Sequence, residues 1–150
     1  MVRIELISWR EAQAEAAPIR FAVFVEEQKV PLQMELDEHD DVCVHALARS
    51  EDATAVGTGR LLPDGHIGRM AVLKKWRRQG VGAAILEALI DAARARGDAE
   101  VVLSAQTHAT GFYRRHGFRE EGAVYDDAGI PHQDMRLALG HSRAGADPVS

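Results

Sequence analysis

Between residues 66 and 97 the sequence reads "HIGRMAVLKKWRRQGVGAAILEALIDAARARG": a strand-like run, a knot of cations, two glycines and a long amphipathic segment. Apolar residues at Val81, Ile85, Leu86, Leu89, Ile90 and Ala93 recur at helical spacing, and Gly97 stands where a helix C′ glycine belongs. Gly80 and Gly82 sit at the helix start, where each glycine costs roughly 1 kcal/mol relative to alanine. That placement has a chemical rationale. The first N–H groups of a helix lack intrahelical partners and carry the positive end of its dipole, and glycine lets an anion reach them. Strand, cationic glycine turn and helix therefore form a candidate anion site. A flexible loop before an ordinary amphipathic helix is the competing reading.

Three phosphate-binding patterns bear on this stretch. A Walker loop requires Gly-Lys-Ser/Thr, but Gly82 is followed by Ala83 and Ala84. A dinucleotide fingerprint requires a third glycine where Ile85 stands, and an early place in a repeated strand–helix–strand unit. The pattern Arg/Gln-x-x-Gly-x-Gly/Ala is met without a gap by Arg77-Arg78-Gln79-Gly80-Val81-Gly82.

The flanking chain supplies an α/β order, β-α-α-β-β-β-α-β-α-β-β. "RIELI" (3–7) alternates as a strand, and Ser8 with Glu11 forms a capping box for a helix to about Ala17, where Pro18 breaks or restarts it. "IRFAVFVEEQ" continues as a second helical piece, and the acidic 31–41 stretch has no period and is expected to be a loop. Strands are expected over 42–49, 55–62, 66–72 and 100–105. A short Tyr-bearing helix ends at Gly117, and a closing hairpin turns at "DDAGIP". With 150 residues and 46% hydrophobic side chains, residues 1–140 are expected to form one domain and 141–150 a loose tail. A net charge of −5 argues against a nucleic-acid partner. One cysteine, Cys43, excludes a disulfide framework and a zinc-binding cysteine cluster, and it reads as a core thiol. The lack of an 18-residue apolar run or an export leader argues for a cytoplasmic protein without a membrane partner.

The loop "RRQGVG", the strand "IGRMAV" and "FYRRHGF" (112–118) together resemble the GNAT superfamily of N-acetyltransferases over nearly the whole chain. "IRFAVFVEEQKVP", "ELDEHDD", "GTGRLL", "SAQTHATGFYRRHGF" and "DDAGIPHQDMRL" are similar to its ElaA/YjcF-like branch. The resemblance implies an acyl-CoA N-acyltransferase fold: a mixed, mostly antiparallel central sheet flanked by helices and splayed at its central strands. It also implies direct acetyl transfer from acetyl-CoA to a small-molecule or peptide amine in a ternary complex, without a metal. Homodimers are common in the superfamily.

Its residue roles carry over by position. Backbone N–H groups of Gln79, Gly80, Val81, Gly82 and Ala83 would hold the pyrophosphate, with charge from Arg77 and Arg78. The backbones of Met70, Ala71 and Val72 would pair with the pantetheine arm. Gln106 stands where the family often has asparagine. Tyr113 would protonate the departing thiolate, since a phenol of pKa about 10 keeps its proton at neutral pH. No base stands out among Glu27, Glu35, Asp37, His39, Asp40, His45, His108 and His132, and Arg69 stands near a place where some relatives carry glutamate. Glu35, Asp37, Glu38, Asp40 and Asp41, with Lys29 the nearest cation upstream, are expected to draw a cationic amine, and a solvated loop that keeps the protein soluble is the competing reading. A non-catalytic acyl-CoA-binding module is the alternative function.

Overall fold

The computed structural model describes residues 2–35 and 37–140, so the tail expected over 141–150 lies outside the described residues. The chain divides into two compact units between Asp91 and Ala92.

The first unit holds strands β1 (Arg3–Ile7), β2 (Val44–Arg49), β3 (Ala55–Leu61) and β4 (Ile67–Val72) in an antiparallel sheet of that order. Helix α1 (Trp9–Arg20) follows β1, and the Ser8 side chain accepts from the Glu11 N–H at 3.4 Å, the expected cap. Pro18 does not end α1. It removes one hydrogen bond, but Ala12, Ala16, Ile19 and Arg20 form a buried stripe whose packing carries the helix past it. The chain then widens into a π-helical segment, Phe21–Glu27.

The 31–41 stretch is more ordered than its lack of period predicts. It holds a one-turn helix, α2 (Leu32–Glu35), and a 3₁₀ segment, Glu38–Val42, capped by the Asp37 side chain accepting from the His39 N–H at 2.7 Å.

β3 and β4 fix the rear of the candidate loop. Gly59 stands alone opposite Arg69 and Met70, a β-bulge in which Arg69 takes φ 48°, the left-handed region. The "GTG" of β3 is required by close packing. A Cβ on Gly57 would lie 2.9 Å from Ile85 Cδ1, and one on Gly59 2.8 Å from Ile85 Cγ2. Those contacts seat the first turns of α3 (Val81–Arg96), whose Val81, Ile85, Leu86, Leu89 and Ile90 are buried as the periodicity predicts.

The second unit takes the end of α3, then β5 (Glu100–Gln106), α4 (Thr110–Arg115), β6 (Arg119–Asp127) and β7 (Ile130–Ala138). Its sheet is antiparallel in the order β5-β7-β6, with a bulge in β6 between Glu121 and Tyr125. Every ladder among the described residues is antiparallel, so the parallel component expected of a mixed sheet is not among them. β4 and β5, joined by the α3 crossover, are each terminal strands.

Candidate functional site

β4 leads through a 3₁₀ turn (Lys74–Trp76) into the candidate loop. Arg78 takes φ 64° and Gly80 φ 81°, so the chain turns twice through the left-handed region before the Gly80 carbonyl accepts the first α3 bond from Ala84 at 3.0 Å. The space where a Gly80 Cβ would stand is open to 4 Å. Val81, Gly82 and Ala83 are the first residues of a 16-residue helix, so their N–H groups lie at the positive end of its dipole. The Gln79 side chain donates to the Lys75 carbonyl at 3.0 Å and braces the loop. A helix N-terminus, an open glycine position and exposed Lys74, Lys75 and Arg78 fit a polyphosphate.

Arg77 departs from its expected role. Its Nε donates to the Val72 carbonyl at 2.9 Å, and its two terminal nitrogens reach the Glu27 carboxylate at 3.1 and 2.7 Å. The guanidinium thus ties the end of β4 to the π-helical segment, and its charge is matched by Glu27. Leu73 N–H bonds Val56 of β3, so by strand alternation the Val72 N–H and carbonyl face the outer edge of β4. Of those two groups Arg77 already holds the carbonyl. Ala71 is buried opposite Thr58, and Met70 is half-buried beside the bulge.

The acidic stretch carries no free five-carboxylate field. Arg20 donates to Glu35 at 2.5 Å and to both oxygens of Asp40 at 2.9 and 3.1 Å. Arg60 donates to Asp40 at 2.9 Å and to Asp37 at 2.6 Å, and Arg69 approaches Asp37 at 3.4 Å. Arg69 also reaches the Met34 and Glu35 carbonyls at 3.3 and 3.4 Å. Arginines 15 to 32 residues away in sequence cancel three of the five carboxylates, which is why the nearby sequence did not reveal the cancellation. Burial pushes the Asp37 and Asp40 carboxyls up. The hydrogen bonds and charge of Arg60 on Asp37, and of Arg20 and Arg60 on Asp40, outweigh it and hold both below the usual range. A bulge residue anchored in this network is Arg69, whose Nε is buried without a hydrogen-bond partner.

The other candidate bases are similarly occupied. His45 is buried, donates from Nε2 to the Asp40 carbonyl at 2.9 Å and packs 4.8 Å from the Trp9 ring. Burial lowers its pKa. His39 donates to Asp37 at 2.7 Å, and His108 to the Gln106 side-chain oxygen at 2.7 Å. His132 donates from Nδ1 to the Ile130 carbonyl at 2.7 Å. Cys43 is a core thiol: it is buried, its Sγ donates to the His39 carbonyl at 3.2 Å, and burial raises its pKa.

Tyr113 lies on α4 between Phe112, 5.1 Å away edge-on, and Phe118, 5.9 Å away. Burial among them pushes its phenol up to about 12, so it holds its proton across the neutral range. Gln106 ends β5 opposite His132.

Two groups escaped the sequence reading. Arg20 and Arg60 had one legible signal, a charged residue on an otherwise small or apolar buried stripe. On the exposed face of the second sheet, the Tyr125 hydroxyl donates to Asp134 at 2.6 Å and is hydrogen-bonded to Ser104. That contact spans three strands and had no local signal.

The α3 start behind the bulged terminal strand can take an anion in the first unit, and Tyr113 bears its proton in the second; comparison with known proteins gives the family. Residues 10–139 match the acetyltransferase (GNAT) domain family, and the chain belongs to it. It is 40% identical over 129 residues to the uncharacterized N-acetyltransferase YjcF of Bacillus subtilis, covering 83% of this chain and 91% of YjcF. It is 32% identical over 124 residues to protein ElaA of Escherichia coli, covering 78% of this chain and 81% of ElaA. The ElaA crystal structure superposes with a TM-score of 0.80 over 91% of this chain and 99% of ElaA, at 28% identity. The crystal structure of an acyl-CoA N-acyltransferase from Pseudomonas aeruginosa superposes at 0.82 over 92% of this chain and all (100%) of the other, at 32% identity. These relatives support the ElaA/YjcF-like branch. No helix among the described residues is long and apolar enough to cross a membrane. No group of three or more metal-ligating side chains occurs among them either.

Proposed function

We propose that residues 1–140 act as one cytoplasmic N-acetyltransferase domain, moving an acetyl group from acetyl-CoA to a primary amine directly within a ternary complex. The observation that carries this reading is the α3 start, where Gly80 at φ 81° leaves open space before helix N–H groups that have no intrahelical partner. In this reading the backbone from Gln79 to Ala83 binds the pyrophosphate, with Arg78 adding charge. Arg77 positions the Val72 end of β4 through its Glu27 pair, and the backbone of Met70, Ala71 and Val72 lies along the pantetheine arm.

Gln106 contributes a polar side chain to the same arm. The amine nitrogen attacks the thioester carbonyl, the C–N bond forms, and the C–S bond breaks. Tyr113 gives its proton to the sulfur; a phenol raised to about 12 is protonated and ready at neutral pH. Holding both reactants together supplies much of the rate, because a bimolecular encounter becomes a local one.

Thiol release from acetyl-CoA across a panel of primary amines tests the proposal, with amine-dependent release as the expected result. Acetyl-CoA that binds in calorimetry but yields no thiol with any amine would leave the non-catalytic binding module as the reading.

A further inference from the structure

The acetyltransferase reading leaves one chemical need unmet: an amine that arrives as ammonium must lose a proton before it can attack. In the first unit the candidate bases Glu35, Asp37 and Asp40 are committed to arginines and Glu27 to Arg77. The second sheet offers a proton acceptor. The Tyr125 O–H donates to the Asp134 carboxylate at 2.6 Å. With that proton spent, the hydrogen bond between Ser104 and Tyr125 must run from the Ser104 O–H to the phenol oxygen. Both protons then point the same way across β5, β6 and β7, and the Ser104 oxygen keeps lone pairs free to accept. Tyr125 is fixed in this pose by stacking on His132, with ring centres 6.2 Å apart.

We propose that Ser104, Tyr125 and Asp134 form a proton relay that deprotonates the acceptor ammonium, with Ser104 as the catalytic residue touching the nitrogen and Tyr125 and Asp134 positioned behind it. The inference rests on the amine-acetyltransferase reading and deepens it. The ammonium gives a proton to Ser104 as the Ser104 proton passes to Tyr125 and the Tyr125 proton to Asp134. Neutral amine and protonated Asp134 result, and Asp134 is exposed, so the proton leaves to water. Of the two protons the nitrogen loses per turnover, this is one; the other balances the proton delivered to the thiol sulfur. The location is consistent, because Ser104 stands two residues before Gln106 on the same face of β5.

Other charged groups around the relay are Glu121 on β6, opposite Asp134; Asp127 on β6, whose charge acts on Tyr125; and His132 and Arg136 on β7. On β5, Glu100 joins Glu121 in pairing with Arg136, so neither carboxylate competes as the relay's end.

The test is the pH profile of kcat/KM for one reactive primary amine in the full chain, compared with Tyr125→Phe, Ser104→Ala and Asp134→Asn. Tyr125→Phe keeps the ring that stacks on His132, and Ser104→Ala alters an exposed position, so at least one folded variant is secured. At neutral pH each variant is expected to lose about 10²–10⁴-fold. The deficit is expected to close as pH passes the amine's own pKa and free amine no longer needs a base. KM for acetyl-CoA is expected to stay unchanged. Profiles parallel to wild type at every pH, with or without a constant deficit, overturn the relay while leaving the acetyltransferase reading intact. Wild type that turns over no amine overturns both.

Discussion

Asp40 is the centre of the ion network that fastens the 32–42 segment to the first sheet, and Asp40→Asn should expose how much depends on it. The carboxylate is 4% exposed and accepts three hydrogen bonds from Arg20 and Arg60, which are 2% and 6% exposed. An asparagine keeps one acceptor oxygen but turns an N–H donor toward a guanidinium that can only donate. Arg20 retains Glu35 and Arg60 retains Asp37, so neither is left wholly unpaired. Breaking a buried pair costs about 3–5 kcal/mol, and the surviving partners place this change at the low end, about 3 kcal/mol. At about 2–4 °C per kcal/mol for a chain of this size, the melting temperature should fall by about 6–12 °C. Urea denaturation followed by circular dichroism reads the same loss as a lower midpoint at unchanged slope. The exposed neighbour Asp41→Asn is the control and should change stability by no more than about 0.5 kcal/mol. A loss below about 1 kcal/mol for Asp40→Asn, the range of a solvent-exposed pair, would refute the view that this network is a buried fastening.

Stability should fall with acid in two stages. His45 has a depressed folded pKa, so the unfolded chain takes up its proton first, and stability present above about pH 6.5 is lost as pH falls toward the folded value. Asp37 and Asp40, also depressed in the folded state, contribute stability above about pH 4 that disappears as pH drops further. Melts across this range should show both limbs, and a flat profile from pH 7 to 4 would contradict the His45 assignment. Gly80→Ala puts a methyl group into the open space before α3 at a positive φ, with about 1–2 kcal/mol of backbone strain. The folded variant should lose about 1.5–3 kcal/mol of acetyl-CoA binding, about tenfold or more in Kd by calorimetry, and unchanged affinity would remove the loop from the cofactor site. Tyr113→Phe should cut a chemistry-limited rate about 10²–10⁴-fold while acetyl-CoA affinity holds, and a wild-type single-turnover rate would end its role as proton donor.

What could be read from the sequence was what depends on local spacing. The buried face of α3, the Ser8 cap and the glycine turn at Gly80 follow from neighbours a few residues apart, and the structure has them in place; β1 forms where expected, but its burial does not alternate and Leu6 is exposed. Long-range pairing stayed hidden. Arg20 meets Asp40 across 20 residues, Arg77 meets Glu27 across 50, and Ser104 meets Tyr125 across 21. A sequence window of net negative charge therefore looked like a field for recruiting cations, although folding brings three arginines onto it. The helical turns within 32–42 were hidden for a related reason: Asp37 caps its own 3₁₀ segment while Arg60 holds its other oxygen, so side-chain anchoring replaces the missing apolar period. Pro18 misled in the opposite direction, because a propensity rule gave way to packing along the Ala12, Ala16 and Ile19 stripe.

In the proposed mechanism the acetyl group passes from CoA to an amine nitrogen without resting on the protein. Mass spectrometry of a quenched single turnover with acetyl-CoA and a primary amine follows all three species at once. Acetylated amine and free CoA are expected to rise together, one to one, with the protein mass unchanged throughout. An acetylated protein that accumulates before the product, or acetyl-CoA that stays intact beside every amine offered, would contradict it.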